Sequence, residues 1–134
     1  MHALMTAPML DATRLDVLAD LEDDTSDLLS EVVGLFVTDT DRSLAAATEA
    51  AGVANMGVLR RIAHDLKGTC GTIGAVRMQA LATELEDAVR VGEAQDAGHD
   101  VQRLVEEFAH VRALLDQYTR ARIRNPRAES RLAL

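Results

Sequence analysis

The chain has 134 residues, 48% of them hydrophobic but only 2% aromatic and none of them Trp, so a single domain is expected with Leu, Val, Ala and Met filling its core. A formal net charge of −8 repels phosphate backbones and anionic lipid, which argues against a nucleic-acid or membrane-surface role. The single cysteine, Cys70, excludes an internal disulfide and a multi-cysteine zinc site, and no window approaches the roughly 20 apolar residues of a membrane span.

The core-forming residues favour helix over strand, and between Pro8 and Pro126 nothing obliges a helix to break. Residues 1–9 read as a flexible leader. Asp11 then caps a short lid helix carrying Leu15, Leu18 and Leu21. Asp23, Asp24, Thr25 and Ser26 offer caps for a longer helix, with Leu28, Val32, Leu35, Phe36 and Leu44 as its apolar stripe, running to about Ala51. Gly52 and Gly57 bracket a turn. A third pattern repeats Leu59, Ile62, Ala63, Leu66, Cys70 and Ile73 at steps of three and four, and Gly74 is its natural stop. The fourth uses Met78, Leu81, Leu85, Ala88 and Val89 and ends near Gly92. The fifth starts beyond Gly98 and uses Val101, Leu104, Val105, Phe108, Val111, Leu115 and Tyr118.

Four long helices joined by short loops predict an all-α fold: an up-down-up-down antiparallel four-helix bundle over residues 10–119, with the lid helix across one end. Residues 120–134 carry five arginines against one acid, Glu129, and read as a flexible Arg-rich tail. That leaves 1–119 at −12, so the acidic part of the chain is its folded part.

Opposite its apolar stripe, the third helix carries Arg60, Arg61, His64, Lys67, Gly68 and Gly71 at offsets −4, −3, 0, +3, +4 and +7 from the histidine. These positions share one face. An outward imidazole with cations one turn either way suits an anion better than it suits a core. Lys67, the sole lysine of the chain, offers a compact charge for a phosphoryl oxygen. Gly68 and Gly71 each cost about 0.5–1 kcal/mol relative to Ala inside a helix, a cost that cleared space above the imidazole would explain. Neutral imidazole is nucleophilic near pH 7, so the face suits phosphoryl transfer.

The run Ala63-His64-Asp65-Leu66-Lys67-Gly68-Thr69-Cys70-Gly71-Thr72-Ile73-Gly74-Ala75, followed by Leu81 and Leu85-Glu86, resembles the histidine-containing phosphotransfer (HPt) domain of phosphorelays. The His-x-Leu-Lys-Gly core and the Gly-Ala pair that follows are its most specific marks, and the resemblance spans roughly Leu10 to Tyr118. It implies a four-helix bundle whose exposed histidine takes a phosphoryl group from one receiver-domain aspartate and gives it to another. Carried over, His64 is the phosphoacceptor, Lys67 the phosphate-neutralising cation and Gly68 the clearance position. Glu86 occupies the place of the family's Gln or Glu that orients the imidazole, and Thr69 keeps the hydroxyl of a position often occupied by Ser. Arg60, Arg61 and Gly71 are candidate partner contacts on helical geometry alone.

Plainer readings stand beside these. A histidine on a helix is most often ordinary surface, and the Arg60-Arg61 pair fits a solvated face. His2, His99 and His110 read as leader, loop and helix flank, and Cys70 as a small core residue. Glu107-x-x-His110 matches half of a di-iron bundle motif, but Arg61 stands where a second glutamate would precede His64, which argues against a di-metal enzyme. No Gly-rich nucleotide loop or Walker lysine is present, so a phosphocarrier is expected and not a kinase. The expected partners are receiver domains of a hybrid histidine kinase and of response regulators. No cofactor is expected on this chain, with Mg²⁺ belonging to the receiver, and a cytoplasmic monomer is the expected form. The alternative is a regulatory module that docks on a receiver without carrying phosphate.

Overall fold

In the computed structural model, which describes residues 9–20 and 28–124, all regular structure is helical. The helices are α1 (Ala12–Asp20), α2 (Leu28–Gly52), α3 (Met56–Ile73), α4 (Val76–Arg90) and α5 (Ala97–Arg124). The four long ones form the bundle in chain order: α3 packs on α4 and α2, and α5 closes the ring against α2 and α4. α1 lies against α2 and α3. Leu29, Phe36, Leu44, Leu59, Leu66, Met78, Leu85, Leu104, Phe108 and Leu115 are among the buried residues of one continuous core. With so few aromatics, the Phe36 and Phe108 rings meet edge to face across α2 and α5, their centroids 6.2 Å apart.

The helix ends follow from local chemistry. The Asp11 carboxylate accepts the Thr13 N–H at 3.0 Å and starts α1. Asn55 caps α3 by accepting the Val58 N–H, so Gly57 lies inside the first turn of α3 and not in the preceding turn. Gly74 ends α3 in the left-handed conformation, φ +85°, its N–H bonded to the Cys70 carbonyl. There the lid docks: the Asp11 N–H donates to the Gly74 carbonyl at 2.6 Å. Midway along the lid, the Tyr118 hydroxyl of α5 donates to the Asp16 carboxylate.

Three further expectations change. On α2 the buried stripe is Leu29, Val33, Phe36, Thr40, Leu44, Ala47 and Ala50, while Leu35 is 64% exposed and Leu28 and Val32 are half-buried. The apolar density of this segment permits more than one phase, and the phase that forms accepts Thr40 into the core. α5 continues to Arg124, so residues 120–124 are helical and not the start of an irregular tail; Arg120 pairs with Asp116 at 3.0 Å, one turn back. α5 also begins at Ala97, so Gly98 lies within it. The leader through Pro8, the cap candidates Asp23 to Ser26 with Leu21, and residues 125–134 lie outside the described residues.

Candidate functional site

α3 and α4 are joined by only Gly74 and Ala75, which makes them antiparallel neighbours and fixes their register. Residues seven apart on one helix face residues seven apart on the other: His64 meets Glu86, and Gly71 meets Gln79. The buried stripe of α3 comprises Leu59, Ala63, Leu66, Cys70 and Ile73, with Ile62 half-buried at its edge, and it turns His64 outward. Burial pushes the Cys70 thiol up to about 12, so this cysteine packs as an inert thiol.

The His64 side chain is 64% exposed, and its Nδ1 lies 2.6 Å from Glu86 Oε2. The other oxygen of the same carboxylate, Oε1, accepts a bond from Lys67 Nζ at 2.7 Å. Glu86 is itself buried, its carboxylate offered to these two groups across the α3–α4 seam. The Lys67 ammonium, foremost, holds the Glu86 carboxyl below its ordinary range; burial opposes this and the His64 bond adds to it. An ionised carboxylate on Nδ1 favours the tautomer with its proton there. That leaves the lone pair on Nε2, the nitrogen away from Glu86.

One turn beyond the histidine, the surface at Gly68 is open. Nothing lies within 4 Å of the place where a Cβ on Gly68 would stand. Gly71 is covered instead: a Cβ there would meet the Gln79 amide nitrogen at 2.7 Å, so Gln79 lies over this glycine. Sequence reasoning missed Gln79, although its seven-residue spacing to Glu86 mirrors that of Gly71 to His64. Arg60 and Arg61 are exposed one turn before the histidine, and the Thr69 hydroxyl donates to the Leu66 carbonyl within its own helix. Beside this face, between α2 and α3, runs an apolar groove floored by Val32, Phe36, Leu66 and Ile73, with Asp39 and Asp65 among its polar lining.

The other half-motif resolves differently. Glu107 is buried, with Arg77 of α4 3.9 Å from Oε1 and no hydrogen-bond partner for Oε2 among the described residues, while His110 is exposed. Among the described residues no group of three or more His, Cys, Asp and Glu side chains is placed to hold a metal ion. No described helix is long and apolar enough to cross a membrane.

Comparison with known proteins agrees with the geometry. Residues 31–120 match the Hpt domain family model. The structure of histidine-containing phosphotransfer protein B (HptB) from Pseudomonas aeruginosa PAO1 is similar with a TM-score of 0.78 and 31% identity, over 87% of this chain and 98% of that one. Histidine-containing phosphotransfer protein MtHPt2 from Medicago truncatula shares the fold, with a TM-score of 0.70 and 23% identity, over 96% of this chain and 90% of that one. No curated protein sequence matches the chain. The chain belongs to the Hpt domain family, and its class of function is histidine phosphotransfer in a phosphorelay.

Proposed function

We propose that the chain relays a phosphoryl group between receiver-domain aspartates, from a hybrid histidine kinase to a response regulator, through a phosphoramidate on His64. The observation that carries this reading is the exposed imidazole tied at Nδ1 to a buried carboxylate, on the helix where the family motif falls. The Nε2 lone pair attacks the phosphorus of the incoming aspartyl phosphate. The bond from phosphorus to the carboxylate oxygen breaks, and the aspartate leaves as carboxylate. In the second half-reaction a receiver carboxylate attacks phosphorus and the N–P bond breaks, its electron pair returning to Nε2.

Within this reading Lys67 neutralises phosphoryl charge, Gly68 gives the receiver's reacting group room, and Glu86 orients the ring. Arg60, Arg61 and Gly71 contact the partner, Gly71 through the overlying Gln79. The groove between α2 and α3 supplies apolar docking area, and Leu35, one turn from both Val32 and Asp39, extends it. Mg²⁺ belongs to the receiver's aspartate site, and this chain needs neither nucleotide nor cofactor. It acts as a cytoplasmic monomer and binds neither nucleic acid nor membrane.

Incubation with a phosphorylated receiver domain tests the proposal. An acid-labile, base-stable label on this chain is expected. Docking without label would replace the carrier by a regulatory module that occupies receivers, and neither docking nor label would remove both.

A further inference from the structure

Glu86 offers one oxygen to His64 Nδ1 and the other to Lys67 Nζ, at 2.6 and 2.7 Å, so both oxygens of a buried carboxylate are engaged. The consequence reaches beyond the orientation of the free ring. Once Nε2 has bonded to phosphorus, the ring with a proton on Nδ1 carries positive charge. Cleavage of N–P from that ring returns neutral imidazole. If the Nδ1 proton has been lost to solvent, the same cleavage must expel imidazolide, a far poorer leaving group.

We propose that Glu86, anchored by Lys67, keeps the proton on Nδ1 throughout the phosphorylated state, so that the phosphoryl group enters and leaves His64 with no proton exchanged with solvent. The inference rests on the proposed carrier function. In the first half-reaction Nε2 gains phosphorus, the aspartyl oxygen keeps its bonding pair, and Nδ1–H stays in place against Glu86 Oε2. In the second half-reaction the N–P pair returns to Nε2, again with Nδ1–H unmoved. The balance therefore needs no external acid or base, and the group bonded to Nδ1 is this carboxylate.

The surrounding charges fit that role. Arg60, Arg61 and Lys67 flank His64 on α3, the neighbouring Asp65 is turned toward the α2 groove, and from α4 the group bonded to the ring is Glu86. α2 packs on the other flank of α3, where Asp39 lines the groove, and α1 reaches α3 at Gly74, beside Asp11 and Arg14. A carboxylate held by an ammonium is geometrically fixed, so it cannot swing away as the ring becomes charged. A glutamine at position 86 would accept the same hydrogen bond and supply orientation without charge. Comparing the two therefore separates positioning from proton retention.

The experiment uses the full chain phosphorylated by phosphoramidate, which removes any partner's own pH dependence from the loading step. The imidazole ¹H–¹⁵N signals of the phosphorylated wild type, Glu86→Gln and Glu86→Asp are followed from pH 6 to 9. Discharge to one receiver is timed at each pH and expressed relative to wild type. The wild type is expected to keep its Nδ1–H signal across the range. Glu86→Gln is expected to lose it within this range, with relative discharge falling as pH rises beyond the point of loss, by up to about tenfold per pH unit. Glu86→Asp, which keeps the charge, restores the flat profile at a lower rate. Parallel profiles for wild type and Glu86→Gln, or loss of the Nδ1 proton in the wild type within this range, overturn the inference while leaving the carrier intact. A chain that takes no phosphate on His64 from either phosphoramidate or a phosphorylated receiver overturns the carrier reading itself.

Discussion

The Tyr118 hydroxyl, near the C-terminal end of α5, donates to the Asp16 carboxylate in the middle of α1, joining residues 102 positions apart. Tyr118 is only 1% exposed, and burial first, then the bond to Asp16, raises its hydroxyl well above the ordinary tyrosine value. It therefore remains a donor over the whole working pH range. Together with the Asp11 to Gly74 bond it fastens the lid at two points, over the apolar anchors Leu10, Leu15 and Ala19.

Tyr118→Phe keeps the ring in the core and removes the donor, leaving the half-buried Asp16 without this bond. A loss of about 1–2 kcal/mol is expected by urea denaturation. Amide hydrogen exchange in α1 should accelerate more than exchange in α3, because the lid is released before the bundle. Equal acceleration in both would mean that α1 is held by its apolar contacts alone.

The helix order was legible because every long segment is apolar at helical spacing and Gly or Asn residues mark the breaks between them. In α3 the recurrence of Leu59, Ala63, Leu66, Cys70 and Ile73 leaves one apolar face, so the outward placement of His64 follows directly. α2 was less legible: Leu28, Leu29, Val32, Val33, Leu35, Phe36 and Val37 are too densely apolar to specify a stripe, and Leu35 falls outside the one that forms. The Lys67 to Glu86 bond was not read, since the rotation of α4 against α3 is a tertiary fact and a lysine beside a nucleophile invites assignment to the incoming phosphate alone. Glu107 was noted only as half of a metal motif, and its burial against Arg77 was not read. It sits three residues after Leu104 on the flank of the α5 stripe, where a charged residue reads as solvated.

Gly68 and Gly74 lie six residues apart on one chain segment yet should respond oppositely to substitution. Gly68 is mid-helix, exposed and open, so Gly68→Gln replaces a poor helix former with a better one and should stabilise the domain by about 0.5–1 kcal/mol. The same side chain intrudes where a receiver must approach His64, and transfer should slow at least about tenfold, or roughly 1.4 kcal/mol in the barrier. At Gly74 the left-handed backbone and an Asp11 carbonyl oxygen 2.7 Å from a would-be Cβ leave no room. Gly74→Ala should cost at least about 1 kcal/mol. Both melting curves and one transfer time course decide this; a Gly68→Gln protein that transfers at the wild-type rate removes the clearance argument.

Glu107 and Glu86 give stability opposite pH dependences. Burial, partly offset by Arg77 and His110, raises the Glu107 carboxyl, so its folded value lies above its unfolded one. Its stabilising contribution is complete below the unfolded value and is lost as pH rises through the folded value. Glu107→Gln should therefore match the wild type in acid and exceed it at neutral pH, by on the order of 1 kcal/mol. Glu86, whose carboxyl is lowered chiefly by Lys67, contributes stability that is present above its unfolded value and is lost as pH falls through its folded one. Urea midpoints of the wild type and Glu107→Gln between pH 4 and 8 give the difference curve. A gap that does not widen with pH would mean that Glu107 is not penalised by burial.

The central claim is that His64 accepts the phosphoryl group on an exposed ring that the fold does not need. The most direct measurement is transfer from a phosphorylated receiver domain to the wild type and to His64→Gln, with the melting temperature of each taken on the same preparations. An exposed side chain contributes little to packing. The account predicts acid-labile label on the wild type, none on His64→Gln, and nearly equal melting temperatures. Label retained by His64→Gln at the wild-type level would contradict it.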